Sequence, residues 1–153
     1  MRKLRKFIIW VVVIKLAVFI AAKIAQRLLP RSGDETSDEF ERSLIISGEA
    51  LTMRSDAFVR GSLLVVMGGA QIDLRHARLH PDGAVITART IFGGLQVLVP
   101  PEWRVDVVGE AKFGEHDADV TDPADLPEDA PHLVVELSSQ FSGAQIVARP
   151  IED

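Results

Sequence analysis

The chain contains neither cysteine nor tyrosine. Without cysteine it forms no disulfide and offers no thiolate to a metal. Nine aromatic side chains, seven Phe and two Trp, are few for a carbohydrate-stacking platform. Positive charge is scarce beyond residue 31: residues 32–153 hold nine Lys or Arg against 22 Asp or Glu, a formal charge of −13. So acidic a body is a poor partner for phosphates, and nucleic acid is excluded as a ligand class. Nucleophile elbow, phosphate-binding glycine loop and His-Glu-x-x-His are all missing. Asp73 and Asp106 are the plausible carboxylates, and nothing pairs them into an acid and a base. The expectation is a protein that binds rather than turns over, without cofactor or metal.

What is present divides sharply. Residues 1–31 carry eight Lys or Arg and no acid. Arg2, Lys3, Arg5 and Lys6 precede an apolar run, Phe7–Ala22, broken only by Lys15. Extended to Leu29 it would span about 35 Å as a helix, enough for a hydrocarbon core of about 30 Å. Lys23 and Arg27 can snorkel to the head groups. A single transmembrane helix within residues 1–29 is the expectation, with the lipid bilayer as its partner. A cleaved signal peptide and a surface-lying helix are the alternatives. Ala21-Ala22 and Ala25 make a poor cleavage site, and Phe7–Ile14 is apolar all round. A central Lys is costly in a bilayer, by about 2.5–3.5 kcal/mol on the insertion scale. Lys15, Ala22 and Gln26 fall on one helical stripe and form a candidate transmembrane contact. The excess of basic residues before the span favours an extracytoplasmic C-terminal domain on a single-pass membrane protein.

Residues 30–43 are polar, acidic and turn-rich, and read as a juxtamembrane linker. Thr36 and Glu39 have the spacing of a capping box for one helical turn. From residue 44 to 153 the pattern is strand. Short β-branched runs such as Leu63–Met67, Gln96–Val99, Val105–Val108 and Leu133–Leu137 are separated by Gly, Pro, Asp and Ser.

Within this body a motif recurs. A bulky apolar residue precedes one or two small ones at Met67-Gly68-Gly69, Phe92-Gly93-Gly94, Phe113-Gly114-Glu115 and Phe141-Ser142-Gly143. Gln71, Gln96 and Gln145 follow three of these stations at one offset, and the Phe113 station has Asp117 there instead. Repetition at about 20–50 residues is the mark of stacked units that bury their apolar faces only against neighbours. The fold class expected is mainly β, a single-stranded β-solenoid-like stack of short strands behind one N-terminal transmembrane helix. Gly68, Gly69, Gly93, Gly94, Gly114 and Gly143 are its corners. The Met and Phe residues would stack as an internal ladder. The glutamines would form a second ladder, interrupted at the Phe113 station.

Val65–Leu74 and Ile91–Pro101, with Trp103-Arg104-Val105 and Phe113-Gly114, resemble the C-terminal domain of the LiaF-type cell-wall-active-antibiotic response proteins of bacteria. The resemblance covers roughly Leu63–Pro150. It implies a non-enzymatic regulator of cell-envelope stress signalling, with a membrane sensor kinase as partner. A structural scaffold that self-assembles through its coil ends, as bactofilins do, is the alternative, with copies of itself as partner. An envelope glycan binder or enzyme is a second alternative.

Three surface features carry possible contacts. Trp103, with Pro100 and Pro101, forms a corner suited to partner binding, since Trp is enriched at hot spots; the alternative, favoured by how often Trp is buried, is a cap over the core edge. His76 and His80 would stand some 13 Å apart on a strand, too far to share a metal. Asp117, Asp119 and Asp122 begin an acidic stretch, Glu115–Asp129, that lacks the spacing of a calcium loop and reads as a solvated excursion.

Overall fold

A computed structural model describes residues 2–28 and 31–152. Helix α1, Arg2–Leu28, is followed by ten strands. The strands are β1 Glu39–Leu44, β2 Ser47–Thr52, β3 Arg60–Val65, β4 Gly68–Asp73, β5 Ala84–Ile91, β6 Gly93–Val99, β7 Arg104–Lys112, β8 His116–Asp119, β9 His132–Gln140 and β10 Gly143–Ala148. They make two five-stranded sheets in which every strand pairing is parallel. Odd strands form one sheet and even strands the other, so each consecutive pair contributes one strand to each and forms a layer.

Alternation builds the core. In β3 the inward set is Gly61, Leu63 and Val65; in β5 it is Ala84, Ile86, Ala88 and Thr90. The facing sheet supplies Ile72, Leu95, Val97 and Ile146, and both sets belong to one apolar cluster. A side-chain period of two fixes the register here, because a one-residue slip would turn every apolar side chain to water. At the first layer Phe40 reaches across the end of the cluster and stacks on Phe58, with ring centroids 5.9 Å apart.

The order of layers in space is not their order in the chain. One sheet runs β1-β3-β5-β9-β7 and the other β2-β4-β6-β10-β8. The last pair, β9–β10, lies between β5–β6 and β7–β8. Residues 120–131, with one 3-10 turn at Pro123–Asp125 and several prolines, carry the chain back for this insertion. The acidic stretch is thus the return path. Asp119 pairs with Arg149 at 2.9 Å, while Asp122 caps the 3-10 turn. These carboxylates are spent separately, and among the described residues no group of three acids or histidines gathers as a metal site.

The ladder of bulky residues forms on the outside, not the inside. Phe92 and Phe141 stack at 5.1 Å, and Phe141 and Phe113 at 4.9 Å, all near parallel. Yet Phe92 is 54% and Phe113 81% exposed. The cause is backbone: Phe92, Phe113 and Phe141 have φ of 54°, 56° and 51°, and this left-handed corner turns the side chain out of the alternation. Ile46, at φ 51°, makes the same corner.

Residues 30–43, expected as a spacer, are folded in large part. β1 occupies Glu39–Leu44, and Ser32 pairs antiparallel with Glu41. Glu39 opens a strand, so the expected helical turn does not form; Asp34 instead accepts hydrogen bonds from Thr36 and Ser37. The buried Arg42 seals this end, donating to the carbonyls of Ser32 and Gly33 and pairing with Glu49 at 3.3 Å.

Lys6–Ala25 of α1 has mean hydropathy 2.5 and none of it is buried against the β domain. It is long and apolar enough to cross a membrane. Lys15 is exposed and Lys23 lies over the Phe19 ring, 5.8 Å from its centroid. The side chain of Gln26, third member of the expected stripe, lies outside the described residues.

Candidate functional site: a glycine-floored face

The even-numbered sheet turns an unusual surface outward. Its register aligns Gly48, Gly69, Gly94 and Gly143 in one row across four neighbouring strands. The next outward row is Ala50, Gln71, Gln96, Gln145 and Asp117. On the other side of the glycines stands the corner row Ile46, Met67, Phe92, Phe141 and Phe113. Over the glycine and amide rows runs an open trough of about 890 Å³, with Glu49 in its lining at the first layer. Its floor is bare backbone beside a line of amides, and the exposed corner row runs alongside it. Glu115, which follows Phe113-Gly114, takes the glycine position in the outermost layer and ends the trough.

The two glycines of each expected corner have different reasons to be there. Gly68 has φ 139°, and a Cβ on it would strike the Ser47 carbonyl oxygen. A Cβ on Gly93 would strike Gly68, and one on Gly114 would strike Ser142. These first glycines are required by the turn. Gly48, Gly69, Gly94 and Gly143 are not: none has a positive φ, and an added Cβ would find its nearest neighbour 3.7 to 4.0 Å away. A strand-interior glycine costs roughly 0.5–1 kcal/mol relative to Ala. Four such glycines in one row, without a steric reason of their own, mark a place where something else approaches the backbone.

The late insertion of β10 completes the amide wall. Because β10 lies beside β6, Gln145 is next to Gln96 and accepts its Nε2 hydrogen bond at 3.2 Å. The expected interruption at Asp117 falls at the end of the row, outside the ladder. At the foot of the same sheet Asp73 binds Arg75 through both carboxylate oxygens, at 2.9 and 2.8 Å, and this hydrogen bonding holds its carboxyl below the ordinary 3.8. Arg75 also reaches the Pro150 carbonyl, which ties the C-terminal tail to the rim.

Other expected sites lie elsewhere. Trp103 is only 4% exposed and belongs to the core cluster, so the ring is a plug and not a contact surface. Pro100 is buried with it, and Pro101 is half-buried and accepts from Thr121 Oγ1 at 2.6 Å. His76 is exposed, and His80 accepts from the Asp82 amide in a turn. The outer face of the odd-numbered sheet is charged in rows, with Glu39, Arg60 and Asp106 in one and Arg89 and Glu110 in another. Its own open depression, about 450 Å³ beside Thr87, Arg89, Val108, Glu136 and Ser138, is smaller and charged.

The glycine row went unread in the sequence because the station Ile46-Ser47-Gly48 was missed. Its resemblance to Phe141-Ser142-Gly143, and its spacing of 21 residues to Met67, were the available signals. No family model, curated protein or solved structure matches this chain.

Proposed function

We propose that this chain is a membrane-anchored, non-enzymatic interaction module whose β domain is a solenoid of five two-strand coils. Its helix would cross the bilayer once and hold the domain on the extracytoplasmic side. The observation that carries a binding role is the glycine row. Four removable glycines, set between an exposed apolar ridge and a line of amides, form a surface that folding alone does not require. The trough is open and lined chiefly by amides and bare backbone; its carboxylates are Glu49 in the first layer and Glu115 and Asp117 in the last, at opposite ends, which suits contact more than catalysis.

The resemblance of Val65–Leu74 and Ile91–Pro101 to LiaF-type domains directs this reading to cell-envelope stress signalling, with a membrane sensor kinase as partner. Photo-cross-linking in intact cells tests it. A photoreactive residue at Gln71 should give adducts that one at Glu136, on the opposite sheet, does not. Identical adducts from both positions, or none from Gln71, would sink the reading.

End-to-end assembly of the kind bactofilins use has less support. The β1 edge is already covered by the Ser32–Glu41 pairing and the Arg42 seal. The opposite edge, β7, ends in the exposed run Glu110-Ala111-Lys112, a charged edge of the sort that discourages strand addition.

A further inference from the structure

We propose that the occupant of the trough is the ridge of a second copy of this chain, so that two membrane-anchored molecules pair through their even-numbered sheets. The proposal rests on the reading of this face as a binding surface and names its partner.

Shape comes first. A ridge and a groove run side by side on one face, both along the stacking direction. Take a two-fold axis lying between two facing copies, parallel to that direction and midway between ridge and groove. It brings each ridge over the other copy's groove. The contact is isologous and closed, so it ends at a dimer. Bulky side chains at Met67, Phe92 and Phe141 would lie over the bare backbone of Gly48, Gly69, Gly94 and Gly143, where any side chain would obstruct them. Both oddities of the face then have one explanation: glycines without steric need, and large apolar side chains turned outward, Phe92 and Phe141 by left-handed corners.

Direction comes second. The axis is parallel to the stack, so both copies point the same way. The chain enters the stack at the β1 edge, where Ser32, four residues beyond Leu28, already pairs with Glu41. Both helices therefore emerge at the same end and can enter one bilayer. A two-fold along the strands would send them to opposite ends.

Charge comes third. Residues 32–153 carry a formal −13, so two such bodies repel unless they meet on an uncharged surface. Over the first four layers the outward rows of the trough are Ile46, Met67, Phe92 and Phe141, the four glycines, then Ala50, Gln71, Gln96 and Gln145. None is ionisable. The outer face of the other sheet carries Glu39, Arg60, Asp106, Arg89, Glu136 and Glu110.

Area sets the strength. Five strands by about six residues give a face of roughly 24 by 20 Å, or about 500 Å² per copy. A standard interface buries about 800 Å² per partner, so this one is weak between free molecules. A shared membrane supplies what area does not, since tethering raises the effective concentration of the second copy. The pairing belongs to the anchored protein.

The absence of cysteine makes the test clean. Two differently tagged full-length copies, one Phe92→Cys and one Gly94→Cys, are produced together and oxidised in their membranes. The expected result is a mixed disulfide several-fold more abundant than either homotypic one, and several-fold above a Glu136→Cys control. Gly94→Leu should abolish the pairing, read by cross-linking through Met67→Cys to Gly69→Cys, while leaving the melting temperature unchanged or raised. A structural glycine would lower both. If Gly94→Cys couples to a different protein and the mixed disulfide is missing, self-pairing is overturned and the binding face stands. If thiol reagents reach Gly94→Cys and nothing couples to it, both fall.

Discussion

Gln96 donates its Nε2 hydrogen to Gln145 across 3.2 Å although 49 residues of chain separate them. Their strands, β6 and β10, are neighbours because the last layer inserts beside the third. This contact reports the insertion directly. It is exposed, so its net worth is small. Gln96→Ala should lower stability by about 0.5 kcal/mol or less, measured by thermal melting of the full chain in mild detergent. A loss above 2 kcal/mol would mean that the amide wall supports the fold.

Adjacent glycines should respond with opposite sign. Gly68→Ala places a Cβ against the Ser47 carbonyl at φ 139° and should destabilise by roughly 2 kcal/mol or more. Gly69→Ala meets nothing closer than 3.9 Å and should stabilise by about 0.5 kcal/mol. Equal destabilisation of both in the same melts would refute the distinction between corner and floor.

Arg42 holds the entry segment to the first layer. Arg42→Ala leaves the Gly33 carbonyl without this donor and takes one of two partners each from the Ser32 carbonyl, which keeps the Glu41 amide, and from Glu49, which keeps Arg31. A cost of about 1–3 kcal/mol is expected from the lost hydrogen bonds of this partly compensated network. Limited proteolysis should then cut within residues 32–38 much faster than in the parent, and unchanged cutting would contradict the seal.

Asp73 gives a pH dependence with a defined sign. Hydrogen bonds from Arg75 depress its folded pKa below 3.8. Its contribution is present above the unfolded value and disappears as pH falls through the folded one. Asp73→Asn should therefore lower the melting temperature near neutrality, with the gap from the parent closing as pH drops below about 3.8. A gap that widens on acidification would reverse the assignment.

Local repetition made the corners legible from sequence, since Phe-Gly-Gly and its relatives each act within a few residues. The apolar helix was legible for the same reason. Strands β1 and β2 were harder: Glu-Phe-Glu-Arg-Ser-Leu and Ser-Gly-Glu-Ala-Leu-Thr have too few β-branched residues to announce themselves. The outward turn of Phe92, Phe113 and Phe141 depends on a φ that an apolar side chain conceals. The proline-rich setting of Trp103 leaves a surface contact and a core cap both open, and packing decides for the cap. Layer order was the least accessible, because a spacing between stations says how long a unit is and not which unit it adjoins.

That order has a consequence for how the molecule is made. A chain emerging from a ribosome can dock β3–β4 on β1–β2, and β5–β6 on those, each as soon as it appears. β7–β8 cannot follow, because the place beside β6 belongs to strands still unsynthesised. Its own neighbours are β9 and β10 alone. Residues 104–119 must therefore wait, without neighbouring strands, until residues 132–148 arrive. Maturation ends with the closing of a gap, and chains stopped before β10 should keep their first three layers while amide exchange across β8 stays fast.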